Sequence, residues 1–133
     1  SLEKGYDTVI GEGGDMLSGG ERQRAWLALC LAQQSEVLLL DEPLAALDIV
    51  YQVEVLQLVR RLVAERGLTV VMIIHDINLA ARFCDVLIAL KAGRLCRFAP
   101  VGEVMSAAVL REVFGVDLHL LAHPDGRHRV AVV

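Results

Sequence analysis

Val37-Leu-Leu-Leu-Asp-Glu-Pro-Leu-Ala-Ala-Leu-Asp48 and Thr69-Val-Val-Met-Ile-Ile-His-Asp76 decide the fold of this chain. The first opens on an apolar run, Val37 to Leu40, with no polar alternation, and then reaches Asp41-Glu42-Pro43. Such a run predicts a short strand buried on both faces, and Pro43, which cannot donate to a ladder, stops it. Thr69 to Ile74 is β-branched and apolar, which predicts a second buried strand ending at His75-Asp76. Between them Asp48 is placed to cap a helix over about Ile49 to Arg66, with Gly67 as its expected stop. The apolar positions Val53, Leu56, Val59 and Val63 recur at helical spacing and read as core rather than as a partner groove. Strand, helix and strand in this order call for a right-handed crossover and a parallel pair, so the class is α/β.

Upstream, Gly5 to Met16 is rich in Gly and Asp and reads as loop. Ser18-Gly-Gly-Glu21 has the form of a capping box, predicting a helix to about Gln34 with Ala25, Leu29 and Ala32 on one face and Trp26 in packing. Downstream, a short helix is expected over Ile77 to Phe83. Asp85 to Leu90, Lys91-Ala-Gly93 and Arg94 to Phe98 read as strand, tight turn and strand. Two helical pieces, Pro100 to Met105 and Ser106 to Phe114, follow, the second capped by Ser106 and stopped by Gly115. Leu118 to Leu121, His123-Pro-Asp-Gly126 and Arg129 to Val133 suggest a terminal hairpin.

The 133 residues suit one domain with a single core. Hydrophobic residues make up 55% and mean hydropathy is +0.50, yet no apolar run approaches the roughly 20 residues of a membrane-spanning helix. Net charge is −4, with basic residues spread out, which argues against nucleic acid as a partner. Cys30, Cys84 and Cys96 form no CxxC pair and read as free, mostly buried thiols of a reducing compartment. Ser1 to Asp7 has neither an apolar nor a basic stretch, so no signal peptide is expected.

Three features can carry chemistry, each with a plainer alternative. Ser18-Gly19-Gly20 at a helix start offers unpaired N–H groups and the positive dipole end to an anion such as phosphate; the plainer reading is an ordinary cap. Asp41-Glu42 lies beyond the carboxyl end of a strand, where open parallel sheets place their ligands. An Asp there can hold Mg²⁺ and the neighbouring Glu can deprotonate a water, although a solvated turn would look the same. His75 ends the other strand and can donate to a phosphate oxygen as charge builds up, or serve structure alone. His119, His123 and His128 gather near the end of the chain. A hairpin is expected to scatter them over both faces, with no cysteine or carboxylate constellation joining them, so they read as no metal site.

Order and spacing change the odds. Leu17-Ser-Gly-Gly-Glu-Arg-Gln-Arg24, Leu38-Leu-Leu-Asp-Glu-Pro-Leu-Ala-Ala-Leu-Asp48 and Ile73-Ile-His-Asp76 together resemble the ABC ATPase family. Glu103-Val-Met and Leu110-Arg-Glu-Val-Phe-Gly-Val116 further resemble the ATPase subunits of bacterial iron–siderophore, haem and cobalamin importers. The resemblance implies a partial P-loop NTPase core with a mainly parallel sheet, followed by C-terminal helices and a hairpin. It would divide the chain into a signature loop and helix (1–35), a central core (36–98) and a tail (99–133). Leu17, Ser18, Gly19, Gly20 and Glu21 would be the signature that binds the γ-phosphate of ATP held by an opposing subunit. Asp41 would be the Walker B aspartate serving Mg²⁺, Glu42 the base acting on water, and His75 the switch histidine on the γ-phosphate. Ala45 to Asp48 would be the D-loop, with Asp48 at the nucleotide interface. ATP, Mg²⁺, a second ATPase subunit in a head-to-tail dimer and membrane permease subunits are the implied cofactors and partners. The implied place is the cytoplasmic face of the inner membrane, as a peripheral protein.

Two residues depart from the pattern in a small way: Glu21 stands for the more frequent Gln and Ala45 for a small Ser. The larger departure concerns Walker A, which needs glycines followed by Lys and Ser or Thr. The only lysines, Lys4 and Lys91, precede Gly5 and Ala92. The expectation is therefore the C-terminal part of an ABC ATPase domain, inactive by itself. In the family the Walker A strand lies beside the strand that ends at His75, so an open slot and self-association are expected. The alternatives are a soluble ABC-type ATPase of DNA repair or chromosome maintenance, and a non-catalytic regulatory ABC fragment.

Overall fold

A computed structural model describes residues 36–133 together with Ala25, Ala28 and Gln34. Ala25 and Ala28 are helical, within the helix expected after Ser18. The expected loop, the capping box, Trp26 and the signature residues Leu17, Ser18, Gly19, Gly20 and Glu21 lie outside the described residues. The chain divides into two compact units at His75/Asp76.

In the first unit, strand β1 (Val37–Leu40) pairs in parallel with β2 (Thr69–Met72), Val37 facing Thr69 and Leu40 facing Met72. Helix α1 (Ile49–Arg66) makes the crossover. Asp48 Oδ1 accepts the N–H groups of Val50 (3.1 Å) and Tyr51 (3.2 Å), satisfying two of the donors that a helix start leaves open. Gly67 closes the helix at φ 65°, a left-handed conformation that costs glycine nothing, and its N–H donates to Val63 O at 3.0 Å.

The face that α1 buries carries Val55, Leu56, Val59 and Leu62, none more than 9% exposed. Leu56 and Val59 were legible as core, but Val53 and Val63 are only half-buried. The stripe is thus centred about one helical position away from its expected line. Each fully buried side chain of this kind contributes roughly 1.5–3 kcal/mol of transfer free energy.

Leu38 and Leu40 are buried on one face of the strand pair. The other face contradicts the expected burial on both sides. Val37 and Leu39 are each 42% exposed, and Val71 is 44% exposed. An apolar run reports affinity for a core, not how many elements are at hand to supply one. Strand β2 also stops at Met72, short of Ile74. A last N–H, from Ile73, donates to Leu40 O at 3.0 Å, and the chain then leaves the ladder for His75.

The second unit holds α2 (Ile77–Phe83), the antiparallel pair β3 (Val86–Lys91) and β4 (Arg94–Pro100), helices α3 (Val101–Val104) and α4 (Ala107–Phe114), and the hairpin β5 (His119–Ala122) and β6 (Arg129–Val132). Parallel pairing is confined to β1 and β2 among the described residues. Ala92 and Gly93 turn β3 into β4 with φ of 51° and 72°, the doubly left-handed turn that matches the twist of paired strands. Ser106 Oγ accepts the Val109 N–H at 3.3 Å and Gly115 ends α4 at φ 74°, as the sequence implied.

The core of this unit is Ala81, Met105, Leu110 and Ala131, flanked by Ile77, Val101, Leu118 and Leu120. Asn78 on α2 locks β6 in place from both sides: Nδ2 donates to Ala131 O (3.0 Å) and Oδ1 accepts the Ala131 N–H (2.7 Å). The side-chain amide thus replaces a neighbouring strand, serving backbone groups that burial would otherwise leave unpaired. Glu112 on α4 is a second tie. Its carboxylate accepts from Arg97 Nε (3.2 Å) and Nη2 (2.7 Å), while its carbonyl accepts from Lys91 Nζ (2.8 Å). Cys84 and Cys96 are in no disulfide and are half-buried, less covered than expected.

Candidate functional site at the carboxyl ends of the parallel strands

The residues that follow β1 bend sharply. Glu42 adopts φ 50° and Ala46 φ 61°, left-handed conformations that cost a side-chain-bearing residue on the order of 1–2 kcal/mol. Pro43 and Leu44 are buried beneath the bend. The Ala45 N–H donates to Glu42 O (3.1 Å) and the Leu47 N–H to Leu44 O (3.2 Å). Gln52, one turn into α1, donates from Nε2 to Leu44 O at 3.4 Å. With the loop held from below, the carboxylates of Asp41 and Glu42 stand in solvent. Strained backbone that surrounding packing holds in place is often a feature of functional sites.

His75 follows β2, and parallel pairing brings it to the same end of the sheet. Its Nε2 contacts Glu42 Oε1. The side chains are 80% and 48% exposed, so the pair contributes little to folding. An ionised carboxylate only accepts, so in that state of Glu42 the shared proton belongs to Nε2, and the imidazole presents a donor at the strand ends. The two strand-end groups singled out in the sequence are therefore brought together. Asp41 stands exposed beside them, one residue before Glu42. Asp48 spends Oδ1 on capping α1.

A Mg²⁺ site can be tested against this donor set. The strand ends supply no cluster of three protein ligands among the described residues. Mg²⁺ is commonly held by one or two carboxylates, with waters and substrate phosphates completing the shell. Asp41 is an exposed carboxylate at these strand ends.

The expectation for the C-terminal histidines needs correction. His119 starts β5 opposite Val132, away from the turn. His123 and His128, however, stack with ring centroids 4.2 Å apart and planes 23° from parallel. Asp125 joins them: Oδ1 lies 3.1 Å from His123 Nδ1 and Oδ2 lies 2.9 Å from His128 Nδ1. The turn folds back on itself, the His123 N–H donating to His128 O at 3.0 Å, so the imidazoles share a face instead of scattering. The Arg127 backbone N–H is the main cause that holds the Asp125 carboxyl below its ordinary range. The Pro-Asp-Gly turn between two histidines was the signal for this arrangement.

Comparison with known proteins bears on the family and the fold. The family profile described as ABC transporter matches residues 1–45. The chain is 48% identical over 110 residues to the iron(3+)-hydroxamate import ATP-binding protein FhuC of Bacillus subtilis, an alignment covering 83% of this chain and 41% of that protein. A solved structure described as an ABC transporter of metal-chelate type, in an inward-facing conformation, superposes with a TM-score of 0.76 at 26% identity. It covers 89% of this chain and 48% of the matched one. The ATP-binding cassette MJ0796, solved as a post-hydrolysis dimer with ADP and Pi, gives a TM-score of 0.58 at 34% identity, over 75% of this chain and 44% of the other. The chain spans less than half the length of these relatives. No helix among the described residues is long and apolar enough to cross a membrane. Its sequence and its fold agree: the chain belongs to the ABC transporter ATP-binding family.

Proposed function

We propose that this chain supplies the hydrolytic half of an ATP site in the energy-coupling subunit of an importer for iron chelates such as siderophores or haem. The contact between Glu42 and His75 at the carboxyl ends of a parallel strand pair carries this reading. The 48% identity to an iron(3+)-hydroxamate import protein supports the substrate class.

In this reading Glu42 takes the proton of the water that attacks the γ-phosphorus, a task for an exposed carboxylate held still by strained backbone. His75 donates from Nε2 to a γ-phosphate oxygen, exchanging the Glu42 contact for the nucleotide where negative charge grows. Asp41 holds Mg²⁺, which supplies charge neutralisation on the phosphates when bound. Leu17, Ser18, Gly19, Gly20 and Glu21 face the ATP of a second subunit, and Asp48 stands where two subunits couple. Partners are that second subunit, in a head-to-tail dimer, and membrane permease subunits, at the cytoplasmic face of the membrane. Residues 1–35, 36–98 and 99–133 act as signature segment, hydrolytic core and tail.

The 133 residues contain no glycine-rich loop with Lys followed by Ser or Thr. By itself the chain then neither binds ATP tightly nor hydrolyses it. Phosphate release by the purified chain with ATP and Mg²⁺ tests this. Release no faster than from buffer is expected. Turnover that disappears in Glu42→Gln would show the chain to be self-sufficient and overturn the half-site reading.

A further inference from the structure

We propose that the tip of the β5–β6 hairpin binds one divalent first-row transition cation, of the borderline-soft kind typified by Zn²⁺, through His123, Asp125 and His128. The proposal is independent of the nucleotide site and rests on the turn alone. Two imidazoles and a carboxylate are the ligand set that such ions take, and open positions are completed by water.

The donor atoms of the three residues are gathered at the tip of the turn. One donor atom from each residue lies within 4.8 Å of the other two. The Nδ1 to carboxylate separations of 3.1 and 2.9 Å compare with about 3.3 Å between ligand atoms around a tetrahedral ion with bonds near 2.0–2.1 Å. The stacked rings must turn about their Cβ–Cγ bonds before both in-plane lone pairs can point at one ion. The side chains are partly withdrawn from water, 25% exposed for His123, 12% for His128 and 34% for Asp125, which lowers the cost of replacing solvent by a metal.

Backbone hydrogen bonds hold the turn that gathers these donors. The Asp125 backbone N–H donates to His123 Nδ1 at 3.1 Å, and an acceptor nitrogen carries a lone pair rather than a proton. The same Nδ1 lies 3.1 Å from Asp125 Oδ1, itself an acceptor for the Arg127 N–H. Bound metal would clip the turn and so fasten the last two strands, whose inner residue Ala131 is held by Asn78.

The test is titration of the 133-residue chain with ZnCl₂ by calorimetry, with Co²⁺ absorption reporting the ligand types. One ion per chain is expected, without the thiolate charge-transfer band that cysteine ligands give. His123→Ala and His128→Ala should each weaken binding on the order of 100-fold. His119→Ala and the triple change of Cys30, Cys84 and Cys96 to Ser should leave it unaltered. Imidazole NMR of the unsubstituted chain covers the case in which a variant misfolds: Zn²⁺ should move the His123 and His128 ring signals and leave those of His75 and His119 in place. No Zn²⁺ uptake, uptake lost only with the cysteines, or movement centred on His75 would each overturn the site.

Discussion

The imidazole of His75 touches the carboxylate of Glu42 through Nε2 and Oε1, although 33 positions separate them in the chain. The in-register parallel pairing of Leu40 with Met72, extended by the Ile73 N–H on Leu40 O, brings them together. Neither group needs the other for folding, since both are well exposed. Their meeting is a property of the sheet end.

His75→Ala should therefore separate stability from activity. Removing an exposed side chain away from the core is expected to shift unfolding free energy by less than about 0.5 kcal/mol. In a complete ATPase carrying this chain behind a Walker A half, the same change should lower ATP turnover by roughly 10²–10³-fold, the usual cost of one lost donor to developing charge. Urea unfolding and phosphate release measured side by side decide between this and a purely structural histidine.

Leu110 should behave in the opposite way. It is fully buried in the second unit, 0% exposed, beside Met105 and Ala131. Leu110→Ala leaves a cavity that helix α4 and the hairpin cannot both close, with an expected cost of about 2–5 kcal/mol. Chemical denaturation of the two chains reads this out. A change much below that range would mean that the cluster is looser than its burial implies.

Glu112 gives a pH dependence with a definite sign. Its hydrogen bonds from Arg97 hold its carboxyl below the ordinary glutamate range. A group whose folded value is depressed lends stability above its unfolded value, and that stability is lost as pH falls through the folded one. The docking of α4 on β4 should thus weaken in acid, and Glu112→Gln should flatten this part of the profile. Thermal melts across the acidic range check it. The pair is exposed, so added salt should shrink the effect.

The open face of the first sheet has a consequence in solution. Val37, Leu39, Val71 and Ile73 are 42–51% exposed, and among the described residues β1 and β2 pair only with each other. Apolar surface beside open edges favours association. The isolated chain is expected to scatter light as more than a monomer at micromolar concentration. Leu39→Lys, which places charge on that face, should reduce the apparent mass.

How far the sequence could be read follows from which forces are local. The parallel pair, the Asp48 and Ser106 caps and the Gly67 and Gly115 stops are set by neighbours in the chain, and each stands where spacing put it. The meeting of Glu42 and His75 was legible because both follow apolar runs that one crossover must align. Burial was less legible. Val37 to Leu40 carries no sign of which face would be covered, and the buried stripe of α1 depends on what the helix meets. The hairpin histidines were misread because strand alternation governs β5 and β6 but not the turn between them. There a left-handed Gly126 (φ 68°) and the Gly126 N–H on His123 O (2.9 Å) curl the chain so that both rings converge on Asp125. Asn78 was invisible beforehand, because its role exists only once β6 arrives beside α2.

Glu42→Gln in that complete ATPase is the most direct test of the hydrolytic role. The substitution keeps shape and removes the carboxylate, so ATP binding and the melting temperature should stay close to those of the unsubstituted protein. Phosphate release should fall by about 10²–10⁴-fold, the contribution of a positioned general base. Phosphate release unchanged by the substitution, with nucleotide bound as before, would contradict the assignment of Glu42 and of the strand-end site built around it.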